Sequence, residues 1–235
     1  MSLRRSVVLL LLLLLAGCGG GSEKQTPRPT PPPSGRTGQL APGEYRAIVH
    51  EYRELQPLSD GNDDPGELAH GRRACEALTR PATHLIALVQ KDCLNAMDFF
   101  VSLRRVEHAG GDCTDVACAR DRYLAFADAI KQTGDGAQAL NDELARRDIT
   151  GLCANSIGIT RAQLREYRAA EQFARRAADA LARGDSQAFD HATDALTNAL
   201  SAGGSGDALK GIERACRPRG AKPLPRVPSR DGINA

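Results

Sequence analysis

Three residues in the middle of the chain have the types and the spacing of a metal site. His108, Cys113 and Cys118 lie close together, and the gap of four residues between the two cysteines is within the range used by zinc ligands. A fourth ligand is not evident nearby. Two cysteines five positions apart can instead close a small disulfide loop, and the redox state of the compartment decides between these two outcomes.

Two other segments resemble ligand loops but lack the residues that bind the ligand. Residues 60–66 begin like a calcium loop, yet Pro65 stands where the turn needs glycine and Gly71 where a bidentate glutamate belongs. Residues 203–206 are glycine-rich and precede a predicted helix, but Ile212-Glu213 follows where a phosphate loop has Lys and Ser or Thr. We expect an acidic turn and a flexible turn at these places.

The sequence contains no arrangement that points to catalysis or to a cofactor. A Gly-x-Ser-x-Gly elbow, a Cys-x-x-Cys-His haem motif and a His-x-x-x-His pair are all absent from it. His50, His70 and His191 each fall two residues from an apolar helix position, about 200° around the helix, and should be exposed. We therefore assign no catalytic residue, no metal ligand and no cofactor.

The first 17 residues have the organisation of a signal peptide. Arg4 and Arg5 provide a positive start, and residues 7–15 form an unbroken apolar run. A transmembrane helix needs about 20 apolar residues, roughly twice the length of this run. The residues around the arginine pair fit a twin-arginine signal poorly and the run is very apolar, so we do not expect that type of signal.

The apolar run ends in Leu15-Ala16-Gly17-Cys18, which resembles the lipobox of bacterial lipoproteins. The resemblance covers residues 1–18 only, and the rest of the chain resembles no family known to us. It implies cleavage before Cys18, a diacylglyceryl group on the Cys18 sulfur, and further acylation of the new amino group by a chain such as palmitate. Two or three acyl chains hold a protein durably on a membrane, whereas one is marginal. Gly19 gives no sign of inner-membrane retention, so either membrane of a two-membrane cell remains open.

Export changes the interpretation of the remaining six cysteines. Their number is even and the compartment is oxidising, so we expect three disulfides among them. Cys113 and Cys118 are the most natural pair. Cys75 and Cys93 look poorly matched as direct partners, because straight helices on either side of a turn at Pro81 would offset them by about 9 Å. The disulfide candidates are Cys75, Cys93, Cys113, Cys118, Cys153 and Cys216.

Charge and proline content divide the mature chain into a body and two arms. Residues 19–42 carry net +2 and residues 217–235 net +4, and these two segments contain ten of the 13 prolines. The intervening 174 residues carry net −6, which does not suggest a nucleic-acid partner. The expected organisation is a signal peptide (1–17), a lipidated cysteine with a linker (18–42), a helical domain (43–216) and a basic, disordered, proline-rich tail (217–235).

The body has the apolar periodicity of helices. Between residues 43 and 216 the apolar residues recur at spacings of three and four, and no stretch alternates like a strand. The spacing predicts a long helix over 86–103, another over 116–130, and a separate shorter one over 137–144 that begins behind Asp135. We expect an all-α fold, a compact bundle of about seven to eight helices with disulfides.

The clearest elements are two helices in residues 160–201. Thr160 and Gln163 have the spacing of a capping box, in which each side chain satisfies a backbone N–H of the other. Gly184 is placed to end the first helix in the left-handed conformation, and Asp185 to cap the second. Small alanines on both inner faces should let the two helices approach closely.

These observations favour a lipid-anchored, extracytoplasmic helical module of the bacterial cell envelope. We expect it to bind or to support other molecules without catalysis, and its partners to be the membrane, through Cys18, and an envelope protein or polymer. The alternative is an envelope-associated hydrolase whose active site has no recognisable motif. The basic tail is expected to be a solvated arm, although basic residues are also attracted to anionic surfaces.

Overall fold

The computed structural model describes residues 38–54, 64–201 and 208–220, and within these residues every element is helical. The fold is therefore all-α, as predicted, with eight helices of seven residues or more and one single turn, Ala109–Asp112. The eight helices are α1 (Pro42–Glu54), α2 (Pro65–Ala77), α3 (His84–Glu107), α4 (Val116–Arg146), α5 (Gly151–Ile157), α6 (Arg161–Arg183), α7 (Ser186–Ser201) and α8 (Ala208–Ala215).

The helical hairpin of α6 and α7 confirms the prediction from its capping residues. Thr160 and Gln163 form a complete capping box, with both reciprocal hydrogen bonds present. Gly184 has φ 67° and ψ 24°, the left-handed conformation that glycine adopts without steric cost. Asp185 accepts a hydrogen bond from the Ala188 N–H at 2.9 Å, which satisfies an exposed donor at the start of α7.

Helix α4 is one continuous helix, so the predicted separate helix behind Asp135 is wrong. Glycine and a cap-like aspartate normally favour a break, but tertiary packing uses the small residues here. A Cβ on Gly134 would lie 3.5 Å from the Tyr167 Cβ, and one on Gly136 would lie 2.6 Å from the Asn95 Nδ2. The two glycines thus let α4 approach α6 on one side and α3 on the other.

The long helices form the centre of the fold. Helix α4 packs against both α3 and α6, α7 packs against α6, and α2 packs on α3. At one end, α8 packs against α5 and α1, and α1 also touches α2 and α3. Val116, at the first position of α4, lies beyond the packed part and is 55% exposed, although its spacing had placed it on the apolar face.

The core consists of two large apolar clusters that the long helices α3 and α4 connect, and a smaller third cluster of Leu68, Cys75, Cys93 and Met97 between α2 and α3. The hairpin cluster joins α6 and α7 to the second half of α3 and the first half of α4. The terminal cluster joins α1, α5 and α8 to the opposite ends of the same two helices. The hairpin cluster includes Phe99, Leu103, Tyr123, Phe126, Ile130, Tyr167, Ala170, Ala174, Ala177, Ala178, Ala192, Leu196 and Leu200. The terminal cluster includes Leu40, Tyr45, Ile48, Val49, Leu85, Ile86, Val89, Leu140, Leu144, Ile149, Cys153, Ile157, Ile212 and Cys216.

All six cysteines of the body form disulfides. The bonds join Cys113 to Cys118, as expected, Cys153 to Cys216, and Cys75 to Cys93. Cys75 and Cys93 lie 5.6 Å apart between Cα atoms, so the expectation that they are too far apart is wrong.

The reason for that error is the connection between α2 and α3. The expected turn at Pro81 is a six-residue segment without helix, residues 78–83, between the end of α2 and the start of α3. A non-helical residue can span about 3.3 Å, roughly twice the rise of a helical one. The segment therefore shifts the register of α2 along α3. The side chain of Gln90 donates to the Glu76 carbonyl at 3.0 Å, which fixes the same register that brings Cys75 beside Cys93.

The ordered body begins before residue 43 and continues beyond residue 216. Leu40, which we had placed in the linker, is 2% exposed in the terminal cluster, and the Gly38 N–H donates to the Arg147 carbonyl at 3.0 Å. Pro218 is also buried. The remainder of both predicted arms, residues 1–37 and 221–235, lies outside the described residues.

Candidate functional site

The residues of the predicted metal alternative lie near a cleft between α2 and α3. His108 follows the last residue of α3, and the Cys113–Cys118 bond closes the loop that leads into α4. Both sulfurs are therefore committed to each other and offer no thiolate to a metal. Within the part of the chain that the structure describes, no group of three or more His, Cys, Asp or Glu side chains is arranged to hold a metal ion.

The cleft beside His108 has a volume of about 450 Å³ and is lined by both apolar and charged side chains. Arg72, on α2, forms an ion pair with Asp98, and Asp112 accepts a hydrogen bond from Arg122 at 3.3 Å. Internal pairing thus compensates part of the charge, and the cleft offers a shallow amphipathic surface. The lining residues are Pro65, Leu68, Ala69, Val101, Arg72, Arg104, Arg105, His108 and Asp112.

A second candidate is a layer of polar side chains between the two apolar clusters. Asn95, on α3, donates from Nδ2 to the Gln132 carbonyl of α4 at 2.9 Å. The Thr133 hydroxyl donates to the Asn95 carbonyl at 3.3 Å or to the Ala129 carbonyl at 3.0 Å. The bonds between Asn95 and residues 132 and 133 join α3 to α4 at the level where Gly136 permits the close approach of the two helices. We call this level the polar layer.

Two carboxyl groups of the polar layer have oxygens without partners. Glu51, on α1, is 5% exposed, and its Oε2 is buried with no hydrogen bond. Asp92, on α3, has its Oδ1 buried without a hydrogen bond, close to the backbone of Gly136. A buried ionised carboxylate without a partner is costly, so such groups remain protonated well above their usual range.

The pKa shifts of this layer follow from burial and from mutual repulsion. Burial raises the pKa of Asp92 to about 7, and burial together with the nearby Asp92 raises the pKa of Glu51 well above its ordinary value. Burial and these two acids also raise the pKa of Tyr52, and burial and Asp92 raise that of Tyr167. The layer can therefore hold protons near neutral pH.

One oxygen of each carboxyl group is closed to solvent, and this limits the chemistry of the polar layer. The unpartnered oxygens of Glu51 and Asp92 have no contact with solvent, and the Tyr52 hydroxyl donates to the Ile157 carbonyl at 2.9 Å. The sequence analysis missed this pair, although Glu51 lies three residues after the buried Ile48 and Asp92 three residues after the buried Val89.

A third candidate lies where the chain enters and leaves the body. The first cavity there, of about 660 Å³, is lined by residues 39–42, Glu44 and Arg147, together with Pro218 and Arg219. The second, of about 620 Å³, shares Pro218 and Arg219 and is lined otherwise by Lys210, Glu213, Arg214, Arg217 and Gly220. We call residues 39–42 and 210–220 together the chain-end surface.

An ion-pair network secures the chain-end surface to the bundle. Arg147 reaches Glu44 at 2.8 Å and Glu143 at 2.6 Å, and Glu44 is 2% exposed. Burial alone would raise the pKa of Glu44. Hydrogen bonds from Thr83, Arg147 and the Ala41 N–H, with the charge of Arg147, outweigh that effect, so the pKa of Glu44 lies below its ordinary value. Glu44 is therefore a satisfied buried charge, unlike Glu51.

The structure places the other singled-out residues on the surface or leaves them undescribed. His50 and His191 are exposed as predicted, while His70 is partly exposed and its Nε2 lies 2.8 Å from the Glu54 Oε2. Helix α2 begins at Pro65 with Asp64 as its cap. Cys18, residues 60–63 of the acidic turn and the glycines at 203–206 lie outside the described residues.

Comparison of the chain with family models, with curated proteins and with solved structures finds no match. Among the helices that the structure describes, none combines the length and the apolar character needed to cross a membrane.

Proposed function

We propose that the chain is a lipid-anchored, extracytoplasmic helical module of the bacterial cell envelope, held on the membrane through Cys18. The body would bind or support an envelope protein or polymer without catalysing a reaction. The anchor would hold it on the outer face of the cell membrane or on an outer membrane. The lipobox residues Leu15 to Cys18 carry the proposal.

The disulfides support the export that this proposal requires. All six body cysteines are paired, and such complete pairing is usual in oxidising compartments and rare in the cytosol. With these six thiols paired, Cys18 is the one remaining cysteine of the chain. It stands at the position that the lipoprotein signal requires, directly after two small residues.

The chemistry of the described residues favours a non-catalytic role. The carboxyl pair of Glu51 and Asp92 is the feature that would favour the alternative, an envelope-associated hydrolase. One oxygen of each carboxyl group is closed to solvent, which limits the approach of a substrate in this conformation. A binding or structural role needs only the outer surface, which the bundle presents without rearrangement.

The substitution Cys18→Ser tests the anchor. Without the sulfur no diacylglyceryl group can be attached, so we expect the variant to keep its signal peptide and to lose the lipid. Gly20→Ser is the matched control, because it changes a residue near the cleavage site and leaves the lipobox intact.

Detergent partitioning and intact mass distinguish the outcomes. Wild type and Gly20→Ser should partition with detergent and have a mature mass that begins at Cys18 with added acyl chains. A wild-type mature chain that begins at Cys18 but carries no lipid would refute the proposal, as would lipid retained by Cys18→Ser.

A further inference from the structure

The two ends of the described chain meet at one end of the molecule. Gly38 is bonded to the Arg147 carbonyl, Leu40 is buried in the terminal cluster, and Pro218 is buried beside them. The cavity of about 660 Å³ is lined by residues 39–42 and by Pro218 and Arg219 together. A lipid on Cys18 would therefore be tethered to the same end from which the C-terminal segment leaves.

The acidic groups of the chain-end surface and of its neighbour Glu44 are already paired, whereas three cations of the surface are not. Glu213 forms an ion pair with Arg53 at 2.6 Å, and Glu44 forms one with Arg147 at 2.8 Å. Arg214, Arg217 and Arg219 are exposed, and within the described residues no ion pair involves them. The surface is therefore net positive, although the segment 43–216 as a whole carries net −6.

The sequence beyond the described residues extends this charge. Lys222, Arg226 and Arg230 follow the surface, against the single acid Asp231. Basic residues next to an anionic lipid surface each contribute about 1 kcal/mol, and the attraction falls off within a Debye length of about 10 Å. Only a surface that comes close to the membrane can use this attraction, and the chain-end surface is the one nearest to the tether.

The length of the tether permits that approach. Gly38 lies twenty positions after Cys18, and a chain of that length spans at most about 70 Å. The anchor therefore keeps the surface at a high effective concentration above the headgroups, so even weak contacts become occupied. The acidic remainder of the body is repelled by the same headgroups, which favours one orientation.

We propose that the chain-end surface docks on the anionic phospholipid headgroups of the membrane that holds the lipid anchor. This inference rests on the proposed function for its setting, since the tether brings the surface to that membrane. The docking itself needs no acylation, so it can be measured on a chain that carries no lipid.

The experiment uses residues 18–235 with the substitution Cys18→Ser, together with vesicles of two compositions. Binding is measured to phosphatidylcholine vesicles and to vesicles that also contain phosphatidylglycerol, at low and at high salt. We expect binding to the anionic vesicles only, and weaker binding at high salt. The triple variant Arg214→Gln, Arg217→Gln, Arg219→Gln should bind about a hundredfold more weakly, given about fivefold per charge.

A matched control removes three exposed arginines from α6: Arg161→Gln, Arg165→Gln, Arg168→Gln. This control lowers the net charge equally and should bind within about threefold of the parent chain. Thermal melts of both triple variants show that the fold is retained. Equal weakening by the two triple variants would overturn the proposal, because it would indicate a nonspecific effect of net charge.

Two further outcomes would overturn it. Equal binding to neutral and anionic vesicles would exclude headgroup charge as the cause. Tight binding to soluble polyphosphate without binding to anionic vesicles would assign the surface to an envelope polymer. Because the protein in this assay carries no acyl chain, failure of the assay leaves the Cys18 test unaffected, and an unlipidated Cys18 leaves the vesicle result unaffected.

Discussion

The hairpin cluster and the terminal cluster solve the same packing problem in different ways. The hairpin cluster is lined largely by aromatic, leucine and alanine side chains, with four fully buried alanines on α6 alone. The terminal cluster has charged groups at its boundary, among them Glu44, Glu51 and Glu143, each at most 5% exposed. Small side chains bring the backbones of the first region together, whereas long-range bonds hold the second.

The difference follows from the order of the elements along the chain. Helices α6 and α7 are neighbours in sequence, so a turn at Gly184 is sufficient to bring them together. The terminal cluster must assemble α1, α5 and α8 from distant parts of the chain, and each contact closes a long loop at an entropic cost. Its bonds are correspondingly long-range: Tyr52 to Ile157, Arg53 to Glu213, and Cys153 to Cys216.

Removal of the disulfide of the terminal cluster is the strongest test of whether the two clusters are stabilised in different ways. The bond from Cys153 to Cys216 closes 63 positions, and loop entropy assigns it about 4 kcal/mol of the free energy of unfolding. We expect the double variant Cys153→Ser, Cys216→Ser to lose about that amount in denaturant melts. Hydrogen exchange should show that α1, α5 and α8 lose protection while α6 and α7 retain theirs.

The control for this experiment is the short disulfide outside the terminal cluster. Cys113 and Cys118 are separated by five positions, and their bond should contribute about 2 kcal/mol. The double variant Cys113→Ser, Cys118→Ser should therefore be the milder one. An equal loss in both variants, or uniform loss of protection over α6 and α7, would show that the two clusters do not differ in the way described.

The second prediction concerns pH and the unpartnered acids of the polar layer. The pKa of Asp92 is raised to about 7 and that of Glu51 is raised well above its ordinary value, so the folded state binds protons that the unfolded state releases. The stabilising effect is therefore present at low pH and is lost as pH rises through neutrality. We expect stability to fall by about 1–3 kcal/mol between about pH 5 and 8.

Substitution of Asp92 isolates this effect. Asp92→Asn keeps the shape and cannot ionise, so urea midpoints of the variant should vary less with pH and exceed the wild-type midpoint in alkaline buffer. Asp121→Asn, at an exposed position of α4, is the matched control and should follow the wild-type profile. Parallel pH profiles for Asp92→Asn and wild type would mean that Asp92 is not a buried proton-holding group.

The same contrast explains how much of the fold could be predicted from the sequence. The hairpin was predictable almost to the residue, because the capping box, the glycine stop and the 3–4 spacing are local signals. The single helix α4 was not, because Gly134 and Gly136 carry a local break signal that close contacts with Tyr167 and Asn95 override. A sequence shows such glycines without showing which neighbour they accommodate.

Contacts between residues that are far apart in the chain could not be predicted from the sequence either. The pairing of Cys75 with Cys93 depends on the register of α2 along α3, which the non-helical segment 78–83 sets. The polar layer could have been suspected, since Glu51 and Asp92 stand on apolar helix faces. Nothing in the sequence indicated that these two acids lie close together, because α1 and α3 are joined by two connections and another helix.

The smallest expected effect tests the hairpin turn itself. Gly184 has positive φ, and a Cβ built there meets no heavy atom within 4 Å, so any cost of a side chain arises from the backbone conformation alone. A β-branched residue tolerates this conformation poorly. Gly184→Val should therefore lower the free energy of unfolding by about 1–2 kcal/mol, at every pH that leaves the bundle folded.

Gly110→Val separates this backbone effect from the loss of a glycine as such. Gly110 also has open space around its Cβ position, but its φ is not positive. We expect the free energy of unfolding of Gly110→Val to stay within about 0.5 kcal/mol of wild type. If Gly184→Val were equally neutral, the turn would have to relax from the left-handed conformation without disturbing α6 and α7. That result would mean that the hairpin, like the terminal cluster, is held by contacts between residues distant in the chain and not by its local turn.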